Sequence, residues 1–406
     1  MNAMCRFFLF AFLLLFSSAH AQKELPLRAG NWLGIIQLND STQLPFYFNA
    51  VYTNGKLGIE ISNADEHILV DEVFVSTDSL IFKMPVFDSE FRCKNYFGSL
   101  KGVWINHARK DHQVLSFSAK QELRPNYLKT GTEGLDGKWE VTFSPGKADS
   151  SKAIGLFKQD HSRLSGTFLT ETGDYRYLEG RVGTSMIQLS CFDGSHAYLF
   201  RAVLKSGKLE GDFYSGATGY EKWLGVRNEH FQLRNPDSLT FLRKGFDRID
   251  FSFKNSSGHT VSLRDSKFRN KVVIIQIMGS WCPNCMDETK YLAGLYEKYQ
   301  PQGIEIEALA FERTSDQIKA YENLSRLKKR FGADYEFLVT GLNGSAQASQ
   351  ALPMLNAVMA FPTTIYIDKK GRVRKVYTGF SGPATGIYYD KFKEETDLFV
   401  SKLLAE

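Results

Sequence analysis

The chain has 406 residues, too many for one ordinary domain and enough for two or three. A hydrophobic content of 43 %, with 14 % aromatic residues, excludes wholesale disorder. The 50 basic side chains are balanced by 45 acidic ones, and no dense Lys/Arg run gathers the net charge of +5, which excludes nucleic acid as a partner.

At the N-terminus Arg6 precedes an apolar run from Phe7 to Phe16, and Ala19-His20-Ala21 places small residues at a cleavage position before Gln22. Residues 1–21 are therefore predicted to be a signal peptide removed on export to the periplasm. The alternative is an uncleaved anchor, but a spanning helix wants about 20 apolar residues, roughly twice this run. Cys5 lies ahead of the apolar run, badly placed for lipid attachment. Cys93 and Cys191 stand alone in the sequence. An oxidising compartment permits a disulfide between them, and burial as small apolar side chains is the other reading.

From residue 28 to about 235, short alternating segments are broken by Gly, Asn and Asp, as in Leu44–Phe48, Lys56–Ile61, Ser79–Met84 and Ala197–Ala202. Asn54-Gly55 and Ser206-Gly207 read as tight hairpin turns, so the region is predicted to be all-β. It also repeats. Gly30-Asn31-Trp32 returns as Gly137-Lys138-Trp139, Val86-Phe87-Asp88-Ser89 resembles Cys191-Phe192-Asp193-Gly194, and Ser99–Trp104 matches Gly207–Phe213. Two tandem units of barrel or sandwich type, residues 28–125 and 135–235, are expected, with one larger pseudo-symmetric barrel as the alternative. The Phe-Asp pairs are candidate ligand contacts or structural turns. Trp32, Trp104, Trp139 and Trp223 are expected in the cores.

Beyond Asn235-Pro236 the pattern changes. Short β-like runs are centred on Ile249–Phe251 and Thr260–Leu263. The continuous apolar stretch Val272–Met278 reads as a strand buried on both faces. Helices are predicted over Pro283–Tyr299, Ser315–Phe331, Ala346–Leu355 and Asp390–Leu404. Strands are predicted over Ile304–Ala310, Phe337–Val339, Thr364–Ile367 and Val373–Tyr377. This alternation makes residues 245–406 a small α/β sandwich.

Between the buried strand and its helix stands Gly279-Ser280-Trp281-Cys282-Pro283-Asn284-Cys285. A thiol at a helix N-terminus meets unsatisfied N–H groups and the positive end of the helix dipole, both of which favour thiolate. Pro283 suits the first turn because it donates no N–H. Cys285, one turn on, can reach the same sulfur and close a Cys282–Cys285 disulfide. Zinc sites use the same spacing but need two further ligands, and neither a second Cys pair nor a His pair is present. No metal or other cofactor is expected.

Residues 245–406 resemble the TlpA/ResA-type thiol–disulfide oxidoreductases, exported relatives of thioredoxin. The resemblance rests on Val272–Ile275, the Ser280-to-Cys285 motif, Glu288 three positions later, and Phe361-Pro362-Thr363-Thr364 followed by Ile365–Asp368 and Gly371. It implies a thioredoxin-like fold and a cis Pro362 lying against the redox pair. It further implies a substrate surface made by Trp281, Pro283, Phe361 and Pro362. An ordinary edge-strand or turn proline is the other reading of Pro362. Glu288 is either a general base for Cys285 or an exposed acid favoured by the helix dipole, and Asp287 is expected to be solvated. Gln276 stands where cytoplasmic thioredoxins have a buried Asp, so their proton relay is not expected here. The β region ahead of a redox domain resembles exported multidomain thioredoxin-like proteins of Bacteroidetes type, which implies a recruiting, dimerising or spacing role.

The reading that follows is a periplasmic thiol–disulfide oxidoreductase. It reduces client proteins that carry disulfides and is recharged by a membrane electron donor. The alternatives are a β binding protein with an auxiliary redox module, and a thiol peroxidase.

Overall fold

Asn54 and Gly55 lie at φ 51° and 75°, and Ser206 and Gly207 at 49° and 76°. These are the positive values that a two-residue type I′ turn requires. Each pair closes a hairpin, Thr53 opposite Lys56 and Lys205 opposite Lys208. A computed structural model describes residues 27–76, 79–96, 98–109, 113–123, 134–184 and 186–406. The predicted signal peptide lies outside them.

Two nine-stranded antiparallel sheets account for the β region, which rules out one larger barrel. In each, the first strand pairs with the last: Gly30–Asn39 with Gln113–Gln121, and Gly137–Phe143 with Gly219–Arg227. The second sheet closes completely, because Ser151–Asp160 pairs with Arg163–Thr170. The first is curled but open between Glu66–Val70 and Val73–Val75, which share no ladder among the described residues. The repeat extends to hydrogen bonds. Trp32 Nε1 donates to Arg28 O and Trp139 Nε1 to Leu135 O, both at 3.0 Å, with each ring buried beneath its barrel. Trp139→Phe would leave the Leu135 carbonyl without its donor. We expect a cost of about 1–3 kcal/mol in urea unfolding, and a smaller one for Trp32→Phe, whose acceptor residue Arg28 is exposed.

The two units interlock. The Phe192 ring leaves its own sheet for the core of the first, with ring centroids 4.8 Å from Phe46, 5.3 Å from Phe91 and 5.1 Å from Trp104. Asn63 fixes the Phe192 backbone from both sides, donating to its carbonyl and accepting from its N–H. This settles Phe192 as structural. Cys93 and Cys191 are free thiols in separate cores, and burial raises both, Cys93 to about 12.

The C-terminal part has the thioredoxin-like arrangement. Its sheet comprises β1 (Val272–Met278), β2 (Ile304–Glu312), β3 (Glu336–Leu342), β4 (Thr363–Ile367) and β5 (Val373–Thr378), in the order β3-β2-β1-β4-β5. Strands β1, β2 and β3 run parallel, and β4 and β5 antiparallel. All seven residues of β1 are buried, as its apolar run demands. Ile274 and Met278 face a core shared with α1 (Pro283–Tyr299), α2 (Gln317–Phe331) and α4 (Ile387–Ala405). Val273, Ile275 and Ile277 face the other side, with α3 (Ser345–Ala351). Helix α3 stops short of the predicted Leu355 because Pro353 disfavours a helical Leu352. The first predicted β-like run also shifts. Ile249 and Phe251 are buried outside any strand, and the two-stranded hairpin pairs Ser252–Lys254 with Thr260–Ser262. No helix among the described residues is long and apolar enough to cross a membrane.

Candidate active site

Cys282 is the N-cap of α1, and Pro283 fills the first helical position. The Cys285 N–H donates to Cys282 Sγ at 3.3 Å, so one orphan donor of the helix start points at the sulfur. On its other side the Cys282 thiol donates to Phe361 O at 3.4 Å, and the Phe361–Pro362 peptide is cis. The structure thus brings together Trp281, Cys282, Pro283, Cys285, Phe361 and Pro362. Cys282 keeps 6 % exposure and Cys285 none, and burial holds the Cys285 thiol well above its usual range. Trp281 and Phe361 are half-buried, with ring centroids 5.5 Å apart, while Pro283 and Pro362 are buried. Trp281 Nε1 donates to Phe311 O at 2.8 Å, which fixes the indole beside the thiol.

Glu288 is not an exposed helix acid. It has no exposure, accepts from Gln276 Nε2 at 2.9 Å and Thr364 Oγ1 at 2.7 Å, and is pushed up to about 7 by burial against those two bonds. Gln276 faces α1 because it alternates with Ile275 and Ile277 along β1, and it sits opposite Thr364 in the β1–β4 ladder. Its side chain also accepts from Thr289 Oγ1 and lies 3.4 Å from Cys285 O. The residue that departs from the thioredoxin pattern is therefore the one that holds Glu288 under the redox pair.

The expectation for Asp287 fails. Its carboxyl is nearly covered and pairs with Arg176, a buried side chain from the second β unit. The same guanidinium pairs with Glu66 of the first unit, lies 3.5 Å from Asp193, and donates to Pro283 O at 3.2 Å. Burial opposes the charge on Arg176, but Asp287, Glu66 and Asp193 outweigh it and hold its pKa well above the usual arginine range. Burial pushes Asp287 up to about 7 against the pull of Arg176. Asp193 belongs to this cluster and accepts from the Ser195 and His196 N–H groups, so its Phe-Asp turn is structural. Asp88 of the other Phe-Asp pair lies 2.8 Å from Lys319 Nζ of α2.

Two more β-region residues reach the motif. Ser195 Oγ donates to Trp281 O at 2.9 Å, and Asn284 Nδ2 donates to Asp174 O at 3.1 Å. With Ser195 on Trp281 O and Arg176 on Pro283 O, the carbonyls on both sides of Cys282 accept from the β region. Sequence reasoning missed Asp174, Arg176 and Ser195. Only the repeat around Asp193 pointed near them.

A family model described as Redoxin matches residues 247–389. The thiol–disulfide oxidoreductase ResA of Geobacillus thermodenitrificans is 32 % identical over 140 residues, covering 34 % of this chain and 72 % of the relative. That of Bacillus thuringiensis strain Al Hakam is 30 % identical over 161 residues, covering 39 % and 78 %. Among solved structures, a thioredoxin-family thiol:disulfide interchange protein from Chlorobium tepidum is 19 % identical, with 40 % of this chain and 98 % of that one covered and a TM-score of 0.30. A secreted thiol-disulfide isomerase from Corynebacterium glutamicum is 22 % identical, covering 43 % and 98 %, with a TM-score of 0.33. With its thioredoxin-like sheet, its Cys282–Cys285 helix start and ResA relatives matched over more than two thirds of their length, the chain belongs to the ResA family of thioredoxin-like thiol–disulfide oxidoreductases.

Proposed function

We propose that the protein is a periplasmic disulfide reductase. The Cys282 thiolate attacks a client disulfide, the client's leaving thiolate takes a proton, and Cys285 then attacks Cys282 to release the second client thiol. The enzyme leaves with a Cys282–Cys285 disulfide, and a membrane electron donor returns it to the dithiol. The observation that carries this reading is the Cys282 sulfur held between the Cys285 N–H and the Phe361 carbonyl at the start of α1. Trp281, Pro283, Phe361 and Pro362 frame the client. Glu288, titrating near 7 beneath the pair, supports a role in accepting the Cys285 proton during resolution. Export rests on the apolar run and cleavage pattern of residues 1–21.

A Cys285→Ala variant is expected to accumulate mixed disulfides through Cys282 in periplasmic extracts, and a Cys282→Ser variant none. Absence of trapped clients, together with no insulin reduction by the intact chain, would overturn the reading. Titration against glutathione tests the direction: a midpoint below the glutathione couple supports reduction, and one above it reverses the assignment.

A further inference from the structure

A cleft of about 650 Å³ opens where both β units meet the redox domain, and Trp281 forms part of its wall. Its charges are unbalanced. Lys319 is paired with Asp88, and the Glu312 carboxylate is occupied by Ser280, whose N–H and hydroxyl donate at 2.8 and 2.6 Å. Arg109 from the first β unit and Arg313 from the end of β2 remain. Among the described residues, Arg109 Nε and Arg313 Nη1 are buried with no hydrogen-bond partner. The Arg313 guanidinium lies over the Trp281 ring, its carbon 4.3 Å from the ring centroid. Burial, and then repulsion from Arg109, lower its pKa to about 10, and the charge of the Cys282 sulfur also reaches it. Glu312 offsets the Arg313 charge only as the smallest of these influences. Two guanidiniums held near each other, with no carboxylate hydrogen-bonded to them among the described residues, are costly unless something negative joins them. Guanidinium forks match carboxylates in geometry as well as charge.

We infer that Arg109 and Arg313 form an anion site beside the redox motif, one that selects disulfides bearing a carboxylate near the sulfur pair. The inference rests on the oxidoreductase reading above and adds its substrate class. The β region thereby supplies a specificity residue, Arg109, to chemistry carried out by the C-terminal domain. The carboxylate comes either from a small acidic disulfide, which a cleft of this volume accommodates, or from an acidic residue next to a client's cystine. The electron balance is that of the proposed reaction: the dithiol loses two electrons and the disulfide becomes two thiols.

The test uses the reduced full-length protein and three small disulfides, anionic 3,3′-dithiodipropionate, neutral hydroxyethyl disulfide and cationic cystamine. We expect the anionic reagent to oxidise Cys282 about 10-fold faster than the cationic one at low salt, the preference fading as salt screens it. Arg109→Ala and Arg313→Ala should each lower the anionic-to-neutral rate ratio by about 5-fold or more, with Arg109→Lys restoring part of it. A wild-type ratio near one would overturn the inference, as would variants that slow all three reagents in parallel. Failure of every reagent to react would instead remove the oxidoreductase reading. A cystine peptide flanked by Glu, compared with its Gln counterpart, separates the sources. Preference for the Glu peptide identifies a client side chain, and preference confined to dithiodipropionate identifies a small molecule.

Discussion

Replacing Arg176 by methionine is expected to lower the unfolding free energy by about 3–5 kcal/mol, the range for breaking a buried charge network from one side. The side chain is 2 % exposed, and among the described residues it is the only cation paired with both Glu66 and Asp287. Methionine fills much of the volume but leaves the carboxylates of Glu66, Asp193 and Asp287 close together and largely buried without their shared cation. Adding Asp287→Asn should recover part of the loss by removing one of those charges, and a double-mutant cycle measures the coupling. The consequence extends to the redox motif. Arg176 holds the Pro283 carbonyl, so its loss loosens the β region over Cys282, and alkylation of Cys282 by iodoacetamide should accelerate. A stability change under about 1 kcal/mol with unchanged alkylation would mean that the cluster does not fasten the two parts together.

Neighbouring residues on α1 show what the sequence could and could not reveal. The helix start was legible because Cys282, Pro283 and the apolar strand before them obey local rules of capping and burial that need no distant partner. The repeat was legible because the same Gly-x-Trp opening produces the same indole-to-carbonyl bond in each barrel. Asp287 was not legible. Its partner Arg176 lies 111 positions upstream, in a loop of another unit, and nothing in the periodicity of α1 announces that a second domain covers that face. Glu288, one residue on, was half legible. Its spacing from Cys285 suggested a role, but its burial follows from Gln276 and Thr364, which are brought under the helix by the pairing of β1 with β4. Local signals therefore gave the redox pair, and long-range packing gave the environment that tunes it.

That environment predicts a specific pH dependence. Burial raises Glu288 from the ordinary 4.5 to about 7, so the folded chain holds this proton more tightly than the unfolded chain does. The associated stability is fully present below about pH 4.5 and is lost as pH rises toward 7, a change of about 3 kcal/mol from this one group. Asp287, also raised to about 7, and Glu307, raised to about 8, act in the same direction, so the intact protein loses more than one share. In Glu288→Gln the share of Glu288 disappears. The amide presents a donor to Gln276 Nε2 or Thr364 Oγ1 and costs a roughly constant amount, leaving the slope of stability against pH as the measurement. Urea unfolding at pH 4.5, 6, 7 and 8 should show the wild type losing about 3 kcal/mol more than the variant across the series. Parallel curves would mean that Glu288 holds no proton in this range. On the proposed mechanism the same substitution slows release of the mixed disulfide by about 10²-fold at neutral pH, because the Cys285 thiol, itself held protonated by burial, loses its nearby acceptor. Capture of the client by Cys282 should be far less affected, so the kinetic defect separates resolution from attack.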